Sequence, residues 1–337
     1  MSDLLRSYLV AWLFFLAISL GAMANLMLHS LTGGRWGQCV RPAWLAATRL
    51  MPALALLFAP IAVGVSSIYP WSDTPGAWLN VPFFTARSIG YLLVWVVLAQ
   101  AFLRADRASV DPALGANRSE RRVAAAGLVI YALTMSLAAV DWIASLTPRW
   151  HSSGFGLLVI AGQMLAGAAF AIAVAASGWG PVQSPRRGAL RDDFRFHDLG
   201  NLLLMYVLLW AYLAYTQFLI MWSENLPQEI RWYVPRLQTS WVAVGVILVG
   251  LHFALPLLIL LSRSAKRSPA VLAAIAAGLL AAHLVDAFWL VMPSLRPAGF
   301  TLAWSDPAAV VFVGAIWTWL WWRAASREPI ATERAHG

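Results

Sequence analysis

Apolar residues run along the chain in long blocks, each bounded by short polar stretches. A helix that crosses a bilayer needs about 20 mainly apolar residues. Nine blocks meet that length, at about 7–29, 43–65, 84–103, 122–145, 154–177, 198–222, 239–262, 269–291 and 306–323. The longest connections, about 66–83 and 104–121, are too short for a separate soluble domain. The pattern predicts an all-α integral membrane protein of about nine transmembrane helices, a single membrane domain over 1–337.

Composition agrees. Of 337 residues, 61% are apolar and 12% charged, half the share an ordinary soluble protein carries. Mean hydropathy is +0.69. The single cysteine, Cys39, excludes a disulfide framework and a cluster ligated within the chain.

The net charge of +9 would suit nucleic acid if the basic residues were clustered. They are instead distributed over the loops, and seventeen of the 24 fall on one side. That side holds Arg35, Arg41, Arg104, Arg107, Arg118, Arg121, Arg122, Arg186, Arg187, Arg191, Arg195, Arg263, Lys266, Arg267, Arg323, Arg327 and Arg334. Basic loops stay in the cytoplasm. The N-terminus is therefore expected outside and a tail over 324–337 in the cytoplasm. Ala22-Met23-Ala24 resembles a signal-peptidase site. Cleavage there would turn every Arg-rich loop outward, so 7–29 is expected to be a retained helix. The outer loops carry Trp71, Trp78, Trp150, Trp232 and Trp304, which suit interfacial anchoring or the docking of an external subunit.

Two segments match. Asp141 stands seven residues before Pro148, and Asp286 seven before Pro293, each at the outer end of a helix crossing in the same direction. An offset of four helices suggests two parallel four-helix units, 43–177 and 198–323, with 7–29 a peripheral helix.

Ionisable groups inside spans are costly and mark functional candidates. Asp141, His252, His283 and Asp286 lie within predicted helices, and Pro256 frees the carbonyl of His252 four residues back. His29 and Arg49, His197 with Asp198, and Glu224 lie nearer the two surfaces. Carboxylates and imidazoles reaching inward from both sides suit a proton relay. The structural alternatives are a helix cap for Asp198 and bonds to Trp or Arg for Asp141 and Asp286. His252 and His283 could also form one axial pair for a haem. Tyr206, Tyr212, Tyr215 and His151 are the groups that could bind a quinone headgroup.

Several longer stretches carry a family likeness. They are Tyr8 to Gly37, ending in Leu31-Thr32-Gly33-Gly34-Arg35-Trp36; Asp141-Trp142-Ile143-Ala144-Ser145-Leu146-Thr147-Pro148-Arg149-Trp150; and His197-Asp198-Leu199-Gly200-Asn201-Leu202-Leu203. Trp210-Ala211-Tyr212, Trp222-Ser223-Glu224-Asn225-Leu226-Pro227-Gln228-Glu229 and Trp289-Leu290-Val291-Met292-Pro293 follow. The chain resembles the ActF-type membrane subunit of bacterial alternative complex III, which is similar to the NrfD/PsrC family. The likeness runs from residue 8 to about 320, and the resemblance implies an extra N-terminal helix in larger relatives.

The resemblance implies two four-helix bundles in the bacterial inner membrane. It also implies a second NrfD-like membrane subunit, periplasmic multihaem cytochrome c and iron–sulfur subunits, and a terminal cytochrome c oxidase as partners. Haem c, iron–sulfur clusters and quinol would belong to those partners, and no cofactor to this chain. The expected function is a subunit of a quinol-oxidising respiratory complex that is itself non-catalytic and offers a proton pathway. The alternatives are a quinone-binding subunit, and a stand-alone transporter or oxidase assembly factor.

Overall fold

The computed structural model describes residues 2–34, 36–108, 116–181 and 193–327. Arg35, Arg186, Arg187, Arg191 and the expected tail beyond residue 327 lie outside them. Among the described residues there is helix and loop but no strand, and nine helices are long and apolar enough to cross a bilayer. They are α1 Ser2–Thr32, α2 Arg41–Val63, α3 Val81–Arg107, α4 Arg118–Trp142, α5 Phe155–Ser177, α6 Asp193–Glu224, α7 Trp241–Leu261, α8 Pro269–Leu295 and α9 Ser305–Ala325. Each coincides with one of the nine apolar blocks. Asn80 caps α3 and Asn117 caps α4, each accepting from a backbone N–H three residues on. Gly178, with φ of 69°, ends α5.

α2 is broken into Arg41–Thr48, Met51–Leu56 and Ala59–Val63, each with a proline in its first turn. Proline cannot donate and clashes with the preceding turn, so the intrahelical ladder is interrupted. Carbonyls near the breaks find partners on α1. Tyr8 donates its hydroxyl to Leu57 O at 2.7 Å, and Trp12 its indole N–H to Leu54 O at 2.9 Å. Backbone groups at membrane depth need such protein partners, because hydrocarbon offers none.

α1 is not peripheral, as the sequence pattern had suggested. It is buried along its whole apolar stretch and packs against α2, α4, α5, α8 and α9. An all-round apolar helix suits lipid or protein equally; its small residues decide. A Cβ on Gly21 would lie 1.8 Å from Gln163 O, and one on Gly167 would lie 2.3 Å from the carbonyl carbon of Gly21. Two backbones thus touch where α1 crosses α5, the close approach that small residues permit in membranes.

The division into 43–177 and 198–323 does not describe the packing either. α9 lies against α1 and α2, where Trp317 donates to Ser19 Oγ at 2.9 Å. α5 lies against α1, α6 and α8. The central helix binds both halves into one body, so no boundary separates them. The ends of the two matching segments do meet: the Thr147 and Ser294 hydroxyls are 2.8 Å apart.

Candidate functional site

Pro256 leaves the carbonyl of His252 without its usual donor. Around it, Val249–Ala254 of α7 widens into a π-helical turn, a device often found at functional positions. His252 sits in that turn, fully buried, and neither ring nitrogen has a hydrogen-bond partner among the described residues. The Trp210 ring of α6 packs on it at 4.2 Å between centroids, and the His283 ring of α8 lies at 6.1 Å.

His283 is buried too, with Phe14 of α1 at 6.0 Å and Gly162 of α5 alongside. A Cβ on Gly162 would stand 3.3 Å from its Cε1. One turn on, Asp286 places Oδ2 3.9 Å from His283 Nδ1, too long for a hydrogen bond but within ion-pair range. The Trp210 side chain also interacts with the Asp286 carboxylate. Trp210 thereby neighbours both ends of the group, covering His252 and lying beside Asp286.

Three titratable side chains from two helices are therefore enclosed at membrane depth by three more helices. Charges are expensive there. An imidazole has two ring nitrogens and can take a proton on one while releasing it from the other. Among the described residues no three His, Cys, Asp or Glu side chains converge as a metal-binding group.

A second set of buried polar groups lies beside Gly162. Gln163 accepts from the Tyr131 hydroxyl at 2.6 Å and donates to Met135 Sδ. Asn25 of α1 donates to Gly21 O and Met164 O and accepts from the Tyr206 hydroxyl at 2.8 Å. Asn25 and Gln163 were not singled out in the sequence, where a lone amide in an apolar run is unremarkable.

Asp141 lies elsewhere. Arg87 of α3 grips it through both oxygens at 2.8 Å, while Tyr91 donates at 3.0 Å and Trp78 at 3.2 Å. The guanidinium is held between the Trp78 and Phe83 rings, at 4.2 and 4.3 Å. This carboxylate is fully paired, and it ties α3 and the preceding loop to α4. Asp141 and Asp286 thus match in sequence and differ in surroundings.

The remaining candidates are dispersed. Glu224 is exposed beside Glu229. His197 contacts Asn201 at 3.2 Å and lies 3.9 Å from the exposed Asp198. Arg49 reaches Ala324 O at 3.4 Å. Of the quinone candidates, Tyr206 is buried against Asn25, Tyr212 and Tyr215 face outward from α6, and His151 is exposed in the loop after α4. They do not share a slot.

Two further clusters escaped the sequence. Arg41 pairs with Asp106 and with the buried Glu120 at 2.9 Å, and lies 3.4 Å from His29 Nδ1; Ser30 donates to Glu120 at 2.6 Å. Four helices are stapled there, yet Glu120 reads in sequence as an ordinary first-turn acid. Arg236 is buried and, among the described residues, has no carboxylate partner. It donates to Trp289 O at 3.2 Å, Leu290 O at 2.9 Å and Trp232 O at 2.6 Å, stacked 3.4 Å over the Trp232 ring. Trp289 O is the carbonyl that Pro293 leaves without a donor. Burial pulls the Arg236 pKa well down, and the nearby Tyr233 opposes that pull.

No protein-family model matches the chain, and no curated protein matches it.

Proposed function

We propose that the chain is an integral subunit of a respiratory quinol-oxidising complex of the alternative complex III kind. In this reading it sits in a bacterial inner membrane with its N-terminus outside, and His252, His283 and Asp286 pass protons within it. Redox cofactors would belong to partners: a second NrfD-like subunit, multihaem cytochrome c and iron–sulfur subunits, and a terminal oxidase. The family assignment rests on the sequence motifs alone. The proton role rests on one observation, the buried His252 in a π-helical turn with both ring nitrogens unpartnered among the described residues, next to a second imidazole and its carboxylate.

The test is proton translocation by the assembled complex in sealed vesicles. Asp286→Asn and His252→Gln keep size and polarity but not proton exchange. Each should lower protons moved per electron, with quinol oxidation in uncoupled vesicles near the unaltered rate. An unchanged ratio in the double variant, in a complex that still assembles, overturns the proton role. Purification of the chain without any haem or iron–sulfur partner overturns the assignment to a complex.

A further inference from the structure

The outward face of α6 differs from the outward faces of α3, α4 and α7. Met205, Leu208, Tyr212, Tyr215, Leu219 and Trp222 follow one another at alternating steps of three and four residues, and all are exposed. A period of 3.5 is that of a seam kept in register with a second helix crossing in the left-handed sense. The two tyrosines are 64% and 62% exposed.

Their depth is the difficulty. Tyr212 and Tyr215 stand twelve and nine residues before Glu224, the end of the helix. At 1.5 Å per residue that is about 18 and about 14 Å, close to the middle of a hydrocarbon layer about 30 Å thick. Helical side chains lean toward the N-terminus, so the phenols point away from the Glu224 end. Neither hydroxyl is hydrogen-bonded within the described residues. A bare hydroxyl in hydrocarbon is costly, and lipid tails supply no acceptor. The outward faces of α3, α4 and α7 expose aliphatic residues instead, such as Leu93, Val97, Val129, Leu133, Val246 and Leu258.

We propose that this seam of α6 is the docking surface for a membrane-spanning helix of a different protein. That helix presents hydrogen-bond acceptors (an accessible backbone carbonyl, or Ser, Thr, Asn or Gln) near the bilayer centre. A second copy of this chain is the poorer match. At the far end of the seam Lys266 bonds Asn201 at 2.7 Å and fixes the turn Arg263–Arg267 on α6, with Arg263 exposed. A two-fold axis through the seam would bring Arg263 toward its own copy, whereas a partner with an acidic group at that level complements it. The seam contains none of the proposed relay residues, so the inference stands or falls apart from proton transfer.

The experiment places the photoreactive residue p-benzoylphenylalanine at Tyr212 or Tyr215 of the full chain in its native membrane. Leu93 and Leu133 serve as control positions. The expected result is adducts from both tyrosine positions to one spanning segment of the same foreign membrane protein, and none to it from the controls. Removing both hydroxyls, by Tyr212→Phe with Tyr215→Phe, should lower recovery of that protein with the chain by about tenfold, the effect of two modest interhelical hydrogen bonds. Adducts only to lipid or quinone, adducts to a second copy, equal yield from the controls, or unchanged recovery of the double Phe variant each overturn the proposal.

Discussion

Two aspartates that look alike in the sequence have opposite stability consequences. Asp141 is the common acceptor for Arg87, Tyr91 and Trp78. Removing one partner of a buried pair costs about 3–5 kcal/mol, so Asp141→Ala should show a loss of that order in denaturant titrations of the detergent-solubilised protein. Asp286→Asn keeps the shape and a polar oxygen beside Trp210 and removes a carboxylate from an apolar site. It should cost less than about 1 kcal/mol, the net worth of one neutral hydrogen bond. The reverse order would contradict both environments. Arg236 allows a sharper test, because its Trp289 acceptor is free only while residue 293 lacks an N–H. Arg236→Ala strands buried carbonyls, at about 1–3 kcal/mol each. In a Pro293→Ala background the ladder can satisfy Trp289 O itself, so the same replacement should cost measurably less. A double-mutant cycle reads the difference, and additive effects would dissociate the arginine from the proline.

At the scale of elements, the crossing of α1 and α5 organises the packing. Gly21 and Gly167 meet backbone to backbone, and Trp44 donates to Gly167 O at 2.9 Å across the same junction. A methyl group at either glycine has nowhere to go, because its neighbour is main chain. Gly21→Ala or Gly167→Ala should destabilise by about 1–3 kcal/mol or more, the cost of overpacking a tight core. Gly90→Ala in α3, where a Cβ meets open space, should change stability by less than about 1 kcal/mol. Heat-induced aggregation of the three variants in one detergent ranks them, and equal midpoints would refute the tight crossing. The same junction explains which part of the fold the sequence revealed. Span positions are local, each set by one apolar run, and all nine were legible. The central place of α1 depends on Gly21 finding Gly167 across 146 positions of chain, which no local pattern encodes.

For the whole molecule, the polar groups sort into three levels. His252, His283 and Asp286 were legible because an ionisable residue inside an apolar run stands out. The Arg41–Glu120 staple and the Arg236 plug were not, since their residues lie near helix ends where charge is ordinary. At the end that carries the N-terminus, Arg296 and Ser7 both bond Asp306, with Arg296 at 2.8 and 3.1 Å. At the opposite end Arg41 joins Asp106 and Glu120. Both ends thus engage arginine in buried pairs. The asymmetry that governs insertion is in the totals, seventeen basic residues against six. Loops rich in Lys and Arg are retained in the cytoplasm, so the loop before α3 should face outward and the end of α9 inward. With the buried Cys39 replaced by Ala, Gly76→Cys and Ser326→Cys each provide one reporter thiol, both at positions outside the helices. A membrane-impermeant maleimide added to intact spheroplasts should label Gly76→Cys at once and Ser326→Cys only after permeabilisation. The opposite pattern would invert the molecule, put the Arg-rich loops outside, and require proton uptake and release by the relay to be reassigned to the other sides.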